Sequence, residues 1–433
     1  MSKRTIMEDV YPLSPAQEGM LFHAISDQGS GVYVGQFGAR LATGLDVDVF
    51  ERAWRGVVER HPVLRTGFVW EKVDAPLQVV RREAALPFRH EDWRGVDEEE
   101  QARRIAEYLR ADREAGFDLA QPPLMRLALF RLGDAAHQLV WTHHHLVLDG
   151  WSLANVYREV LALYEAGLEG RQARLGHPRP YRDYIAWIKR QDLAGAERFW
   201  RGELAGFSTP TPLGIGRAAV GDAEARMEAG RCSARLSPPA TAALHALARR
   251  GQVTANTAAQ GAWALLLARY SGEEDVLFGT SVSGRPPELE GMEEMVGMFV
   301  GTLPVRVRVP PDAPVLAWLE RLHRRQVETR EYEFSPLVQV QRWSEVPRGR
   351  PLFESFLSFQ NYPVDPTARD RFGVKDMWGL ESDDYPLSVT VSPSGEEMLL
   401  DCTFHDARFR PDEVGRVLEH FRNLLESLAA GPD

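Results

Sequence analysis

Apolar positions along this chain follow two rhythms, one near 3.6 residues and one of two, and the changes between them mark the elements. Ser14-Pro15-Ala16-Gln17 reads as a helix start, with serine as cap, proline at the first position and Gln17 closing a capping box. A strand is expected near Val32 to Leu41, then a helix from about Asp48 to Arg60 with Phe50, Trp54 and Val58 inward. Leu64 to Trp70 and Leu77 to Val80 read as strands. The acidic-then-basic run from Asp97 to Arg113 reads as an amphipathic helix with Ile105 and Leu109 inward. Leu124 to Leu132 and Gln138 to His145 read as a pair of strands. Asp149-Gly150 then turns the chain, and Ser152 is expected to cap a helix whose apolar face is Leu153, Val156, Tyr157, Val160, Leu161 and Tyr164.

Gly167 to Pro180 is rich in Gly, Arg and Pro and has no period, which makes it the expected linker. Beyond it the pattern starts over. Helices are expected from Pro238 to Arg249 and Asn256 to Tyr270, strands near Val276 to Ser283 and Thr302 to Val309, and a helix from about Ala313 to Glu331. Strands near Glu354 to Gln360, Leu387 to Val391 and Met398 to Phe404 lead to a last helix from Pro411 to Leu428, with Gly431 as its stop. The halves end alike. Leu139-Val140-Trp141-Thr142-His143-His144 before a helix resembles Leu400-Asp401-Cys402-Thr403-Phe404-His405 before a helix, which suggests two lobes of one fold. At 433 residues the chain exceeds one hydrophobic core, since cores stop growing near ~250–300 residues, and two compact units are expected.

Composition narrows the function classes. A hydrophobic share of 44% with 26% charged residues is that of an ordinary globular protein. Lys+Arg 51 against Asp+Glu 62 gives a net charge of -11, which argues against nucleic-acid and anionic-membrane partners. The two cysteines, Cys232 and Cys402, have no metal-type spacing and form no disulfide framework, so a reducing compartment fits. No apolar stretch is long enough for a signal peptide or a membrane span, and the expected location is cytoplasmic. Neither a P-loop nor a dinucleotide fingerprint is present, so adenylating and redox roles have no support.

The chemistry concentrates in Trp141-Thr142-His143-His144-His145-Leu146-Val147-Leu148-Asp149-Gly150-Trp151. Histidine is the side chain whose ordinary pKa lets it exchange a proton near neutrality. On a strand, His143 and His145 share one face and His144 takes the other. Asp-Gly alone is a common turn dipeptide. Adjacent histidines, a fixed spacer, then Asp and Gly before a capped helix are not explained by packing, and they sit where a strand gives way to a loop.

With these residues in view, the sequence resembles the condensation domains of non-ribosomal peptide synthetases. His144-His145-Leu146-Val147-Leu148-Asp149-Gly150 is similar to the HHxxxDG signature. Matching stretches follow in order: Leu13-Ser14-Pro15-Ala16-Gln17-Glu18-Gly19-Met20-Leu21, Arg60-His61-Pro62-Val63-Leu64-Arg65-Thr66 and Tyr181-Arg182-Asp183-Tyr184. Further on stand Val296-Gly297-Met298-Phe299-Val300-Gly301-Thr302-Leu303-Pro304, Arg330-Glu331-Tyr332-Glu333 and Arg350-Pro351-Leu352-Phe353. The resemblance covers nearly the whole chain. One departure is Gly301, where the family usually has asparagine, so any contact of that side chain is absent here.

The resemblance implies an α/β fold of two chloramphenicol-acetyltransferase-like lobes, 1–175 and 176–433, forming a V-shaped pseudodimer with an active-site tunnel between them. It implies an acyltransferase that joins two carrier-bound substrates: the acceptor amine attacks the donor thioester, both held on phosphopantetheine arms. It implies that the domain itself binds no cofactor, and no metal is expected. The expected partners are donor and acceptor carrier proteins and an adjacent adenylation domain, with no nucleic acid and no membrane. The opening Ser14 to Leu21 stretch resembles the subclass joining an L-configured donor to an L-amino acid. No carrier serine motif or adenylation signature appears, so the chain is expected to be a piece of a larger synthetase, with Met1 to Asp9 and Ala429 to Asp433 as linker remnants.

Roles are assigned accordingly. His145 is the expected catalytic imidazole, and Gly150 brings a backbone N–H toward the thioester oxygen. His144 braces the loop, and the resemblance implies that Asp149 forms an ion pair with Arg285 of Ser283-Gly284-Arg285-Pro286, a bidentate pair spanning the lobes. His143, Trp151, Ser152, Tyr385 and Ser388 are candidate tunnel positions. Three rivals remain open at this point: an epimerising or ester-forming relative, a non-catalytic docking domain of the same fold, and a zinc site on His143, His145 and Asp149. Zinc would not explain the stretches that match elsewhere.

Overall fold

The computed structural model describes residues 6–26, 31–42, 44–216, 229–361, 373–380 and 385–431. The described chain forms two compact units. One runs through Arg190 and takes in Arg285–Phe299 and the strand Val374–Leu380; the other holds the rest. The expected cut at 175/176 differs from this division in two ways. The first unit continues through the helix Tyr181–Ile188, and two later segments return to it. Part of each expected linker remnant, 1–5 and 432–433, lies outside the described residues. Met7 to Asp9 opens the strand Met7–Pro12 rather than a linker, and Ala429 and Ala430 end the last helix.

The first unit is built on a five-stranded sheet in the order Val374–Leu380, Val34–Leu41, Ala136–His144, Met125–Gly133, Phe88–Asp92. Neighbours are antiparallel except the last pair, which is parallel. The helix Val47–Arg60 starts where Asp46 accepts from the Val49 N–H at 3.0 Å, a cap worth about 1 kcal/mol. Its inward Trp54 meets Trp141 of the strand edge to face, with centroids 4.8 Å apart. The histidine strand is thereby pinned on one face by a fully buried aromatic pair. The other face carries a polar network. Asp112 of the helix Glu98–Ala115 accepts from Thr142 at 2.5 Å, Gln36 at 2.9 Å and Arg126 at 2.5 Å. Burial alone would raise the Asp112 pKa, but these donors outweigh it and hold the carboxyl below its usual value.

The second unit has a six-stranded sheet in the order Gly301–Arg308, Asp275–Val282, Ser355–Phe359, Leu387–Ser394, Glu397–His405, Ala229–Leu236. The helix Ala255–Ser271 is buried on nearly all sides, and its Trp263 packs edge to face on Phe421 of the helix Pro411–Ala430. The repeat read in the sequence has a structural counterpart. Glu397–His405 leads into Pro411–Ala430 as Ala136–His144 leads into the helix Gly150–Leu168. Neither cysteine is in a disulfide, and the two are register partners across Ala229–Leu236 and Glu397–His405.

Candidate active site

The histidine strand ends at His144, whose N–H bonds the Leu124 carbonyl at 2.9 Å, and the His145 N–H then takes the Tyr33 carbonyl at 2.9 Å. Leu146, Val147 and Leu148 are fully buried and anchor the loop. Gln17 anchors it again, because its side-chain amide donates to the Leu146 carbonyl at 2.7 Å. Gln17 also accepts from the Ser14 N–H while the Ser14 hydroxyl accepts from the Gln17 N–H, so the expected capping box is formed. Its second role as a strut for the histidine loop carries no signal in sequence.

The three imidazoles have three environments. His143 is 1% exposed, edge to face against His145 with centroids 5.2 Å apart, and neither ring nitrogen has a well-formed hydrogen bond. Burial, then the neighbouring His145 and His144, pushes its pKa well below the ordinary value. The candidate tunnel position His143 is therefore packed inside the first unit. His144 lies on the opposite face beside Phe117, and its Nδ1 accepts the Leu146 N–H at 3.1 Å. Burial, then His145, brings its pKa down to about 3. Of the three, only His145 is part-exposed. Its Nδ1 lies 3.1 Å from the Leu148 carbonyl oxygen, which can only accept. The proton of the neutral ring therefore sits on Nδ1, and Nε2 keeps its lone pair.

Asp149 is 2% exposed and its two oxygens are fully engaged. Oδ1 accepts the Ser152 N–H at 2.7 Å and Oδ2 the Phe299 N–H at 3.2 Å, while Arg285 Nη2 lies 3.2 and 3.4 Å from the pair. The geometry differs from a fork. One guanidinium nitrogen faces both oxygens, and Nη1 donates to the carbonyls of Met292 at 2.5 Å and Met295 at 3.1 Å. The pair also does not span two units, because Arg285–Phe299 belongs to the same compact unit as Asp149. Asp149 rather than Ser152 is the N-cap of the helix Gly150–Leu168. The Ser152 hydroxyl is fully buried, donating to the Gly297 carbonyl at 2.8 Å and accepting from the Gly297 N–H at 3.0 Å, so it braces the site instead of lining a passage. Tyr181 donates to the Met298 carbonyl at 2.5 Å. The stretch 296–304 thus meets Asp149 directly through Phe299, and Tyr181 of a third matching stretch holds the neighbouring Met298.

Gly150 is the first residue of that helix, where an amide N–H has no intrahelical acceptor. Trp151 is half-buried and donates to the Glu293 carbonyl at 3.0 Å. Among the described residues no group of His, Cys, Asp and Glu side chains is arranged to hold a metal ion. The arrangement offers one part-exposed imidazole held in a fixed tautomer beside two buried, uncharged ones.

The family profile described as Condensation domain matches residues 7–433. The chain belongs to the condensation domain family. It is 43% identical to one linear gramicidin synthase polypeptide of Brevibacillus parabrevis and 44% identical to a second from the same organism, over 99% of its length in each case. It is 32% identical to Surfactin synthase subunit 3 of Bacillus subtilis (strain 168), again over 99% of its length. The chain spans only 6%, 9% and 33% of these relatives. Among solved structures, the first condensation domain of the calcium-dependent antibiotic synthetase, in complex with a substrate analogue, superposes with a TM-score of 0.82 at 22% identity, covering 98% of this chain and 97% of that one. The X-domain in complex with OxyB from teicoplanin biosynthesis superposes with a TM-score of 0.78 at 24% identity, covering 98% and 94%.

In this condensation domain Tyr385 and Ser388 lie in the second unit. Tyr385 stacks on Phe356 with centroids 4.7 Å apart, and Ser388 is 3% exposed within its strand. Gly301 has no positive φ, so its backbone does not itself demand glycine, although a Cβ there would stand a tight 3.3 Å from a Val282 methyl. No described helix of the condensation domain is long and apolar enough to cross a membrane.

The depressed histidines have a consequence for stability. With folded-state pKa values below the unfolded 6.5, His143 and His144 stay neutral in the folded chain while the unfolded chain takes up protons. Stability is therefore full above about pH 6.5 and falls as pH drops toward 3, by up to about 1.4 kcal/mol per pH unit for each histidine. Urea midpoints at pH 7.5, 6 and 5 are expected to fall steadily. A midpoint flat across that range would contradict the buried, uncharged assignment.

Proposed function

We propose that this condensation domain forms amide bonds between carrier-bound substrates. The amine of an acceptor aminoacyl thioester attacks the donor thioester carbonyl. The new C–N bond forms, the C–S bond breaks, and the donor's phosphopantetheine leaves as a thiol carrying a proton that the amine has lost. The observation that carries this reading is the His145 tautomer: Nδ1–H is committed to the Leu148 carbonyl, so Nε2 is the atom ready to receive a proton from the attacking nitrogen. The Gly150 N–H at the helix start is the candidate donor to the thioester oxygen. Asp149 and Arg285 hold the loop, since every oxygen of the carboxylate is already engaged.

The carrier proteins, an adjacent adenylation domain and a cytoplasmic location are part of the same proposal, supported by the peptide-synthase relatives of which this chain matches a fraction. The stretch Ser14 to Leu21 supports an L-donor, L-acceptor subclass. The X-domain likeness makes a docking role the rival, and the complete His144-His145-Asp149-Gly150 set favours catalysis. The test is a reaction with defined donor- and acceptor-loaded carrier proteins, read by intact mass. Gain of the donor acyl mass on the acceptor carrier is expected. Unchanged carriers with a folded domain would refute the proposal, and donor racemisation without acceptor would point to epimerisation.

A further inference from the structure

Gly35 lies directly opposite His143 in the strand pairing and has no positive φ, so its backbone is one that any residue adopts. In mid-strand a glycine is disfavoured by roughly 0.5–1 kcal/mol against alanine, which leaves its presence to be explained by space. The space is occupied by the site. A Cβ at position 35 would stand 2.7 Å from both Cε1 and Nε2 of His143, and 3.3 Å from Nε2 of His145. The first contacts are overlaps that force a shift. His143 has little room to give, because its ring is fully enclosed between Trp141, at 5.6 Å centroid separation, and His145, at 5.2 Å. Any shift of His143 toward its edge-to-face partner is passed to the His145 ring. The third contact stands against the very nitrogen whose lone pair the Leu148 hydrogen bond leaves available.

We propose that Gly35 is a positioning residue for His145: its missing side chain lets the His143 ring stand edge to face against His145 and leaves Nε2 uncovered. His143 is then a packed wall that sets the angle of the His145 ring, and residue 35 sets how closely that wall and the reacting nitrogen are approached. This inference rests on the proposed amide-forming role only for its kinetic consequence. The ring geometry itself is independent of that role.

The experiment uses Gly35→Ala, His143→Ala and the double variant in the full chain, with two readouts. In the carrier-protein assay, Gly35→Ala is expected to lower kcat by about 10–100-fold, as small misplacements of a reacting group do, with the KM for loaded acceptor carrier nearly unchanged. The double variant is expected to match His143→Ala alone, because removing the imidazole removes the overlap. The second readout is nitrogen NMR of ¹⁵N-histidine-labelled protein. Wild type is expected to show a His145 ring with protonated Nδ1 and bare Nε2, and Gly35→Ala to shift those resonances. Wild-type kcat in Gly35→Ala, or losses from the two substitutions that simply multiply, would overturn the proposal. An inactive wild type with the expected resonance shifts would refute the amide-forming reading and keep the positioning role. If Gly35→Ala does not fold, the double variant decides: His145 resonances that coincide with those of His143→Ala support the overlap, and resonances displaced beyond them refute it.

Discussion

Replacing His145 with alanine is expected to lower condensation turnover by roughly 10²–10⁴-fold while the domain stays folded. The fold is expected to tolerate the change because the ring is part-exposed and the loop is held by other groups, among them the buried Leu146 to Leu148 run and the Gln17 strut. The size of the effect says what the imidazole does. An α-amino group has a pKa near ~7.7–8.0, so at neutral pH a useful fraction is already the free amine. Ground-state deprotonation is then worth at most about tenfold, which raising the pH to 9 would restore. Orientation is worth far more, up to ~7–11 kcal/mol when both reactants are held in line. The loss in His145→Ala is therefore expected to persist at pH 9. Single-turnover rates at pH 7 and pH 9, with circular dichroism as the check on folding, test this. Rescue at high pH would reduce His145 to a simple base, and near-wild-type turnover at pH 7 would remove it from the mechanism.

How much of the site is legible in the sequence depends on where the cause of each feature lies. The alternation of residues 139–145 places His143 and His145 together and His144 opposite, because a strand's two-residue period is a local property. The helix cap is not local in this sense. Asp149 and Ser152 are both capping residues three apart, and only the Phe299 N–H and Arg285 near the carboxylate decide between them. The strand Phe88–Asp92 leaves no apolar rhythm because edge positions tolerate the charged Arg89, Glu91 and Asp92. Val374–Leu380 is hidden for the same reason, with Lys375 and Asp376 exposed on the outermost strand. Gly35 is illegible in principle, since the reason for a glycine there is two rings on a strand and loop far along the chain. The boundary between units has a distant cause too. A linker-like composition at 167–180 says nothing of a later segment, Arg285–Phe299, that folds back to complete the first unit.

That returning segment carries Arg285, the buried partner of Asp149. Asp149→Asn is expected to destabilise the first unit by roughly 3–5 kcal/mol, because it leaves the guanidinium of Arg285 buried without its counter-charge. The two side chains are 2% and 7% exposed, so water cannot take over the lost interaction. Asparagine can still accept from the Ser152 N–H, so the helix cap is largely kept and the loss is mainly one of charge. Arg285→Gln is expected to cost a similar amount, since it strips the carboxylate of its cation and frees the Met292 and Met295 carbonyls that Nη1 now satisfies. The double variant is expected to lose clearly less than the sum, because neither charge is then left alone in the interior. Urea unfolding of all four proteins measures that coupling, and folded yield and turnover are expected to fall together in the single variants. An Asp149→Asn protein of wild-type stability that no longer condenses would overturn the structural role and bring the carboxylate into the chemistry, against the engagement of both its oxygens.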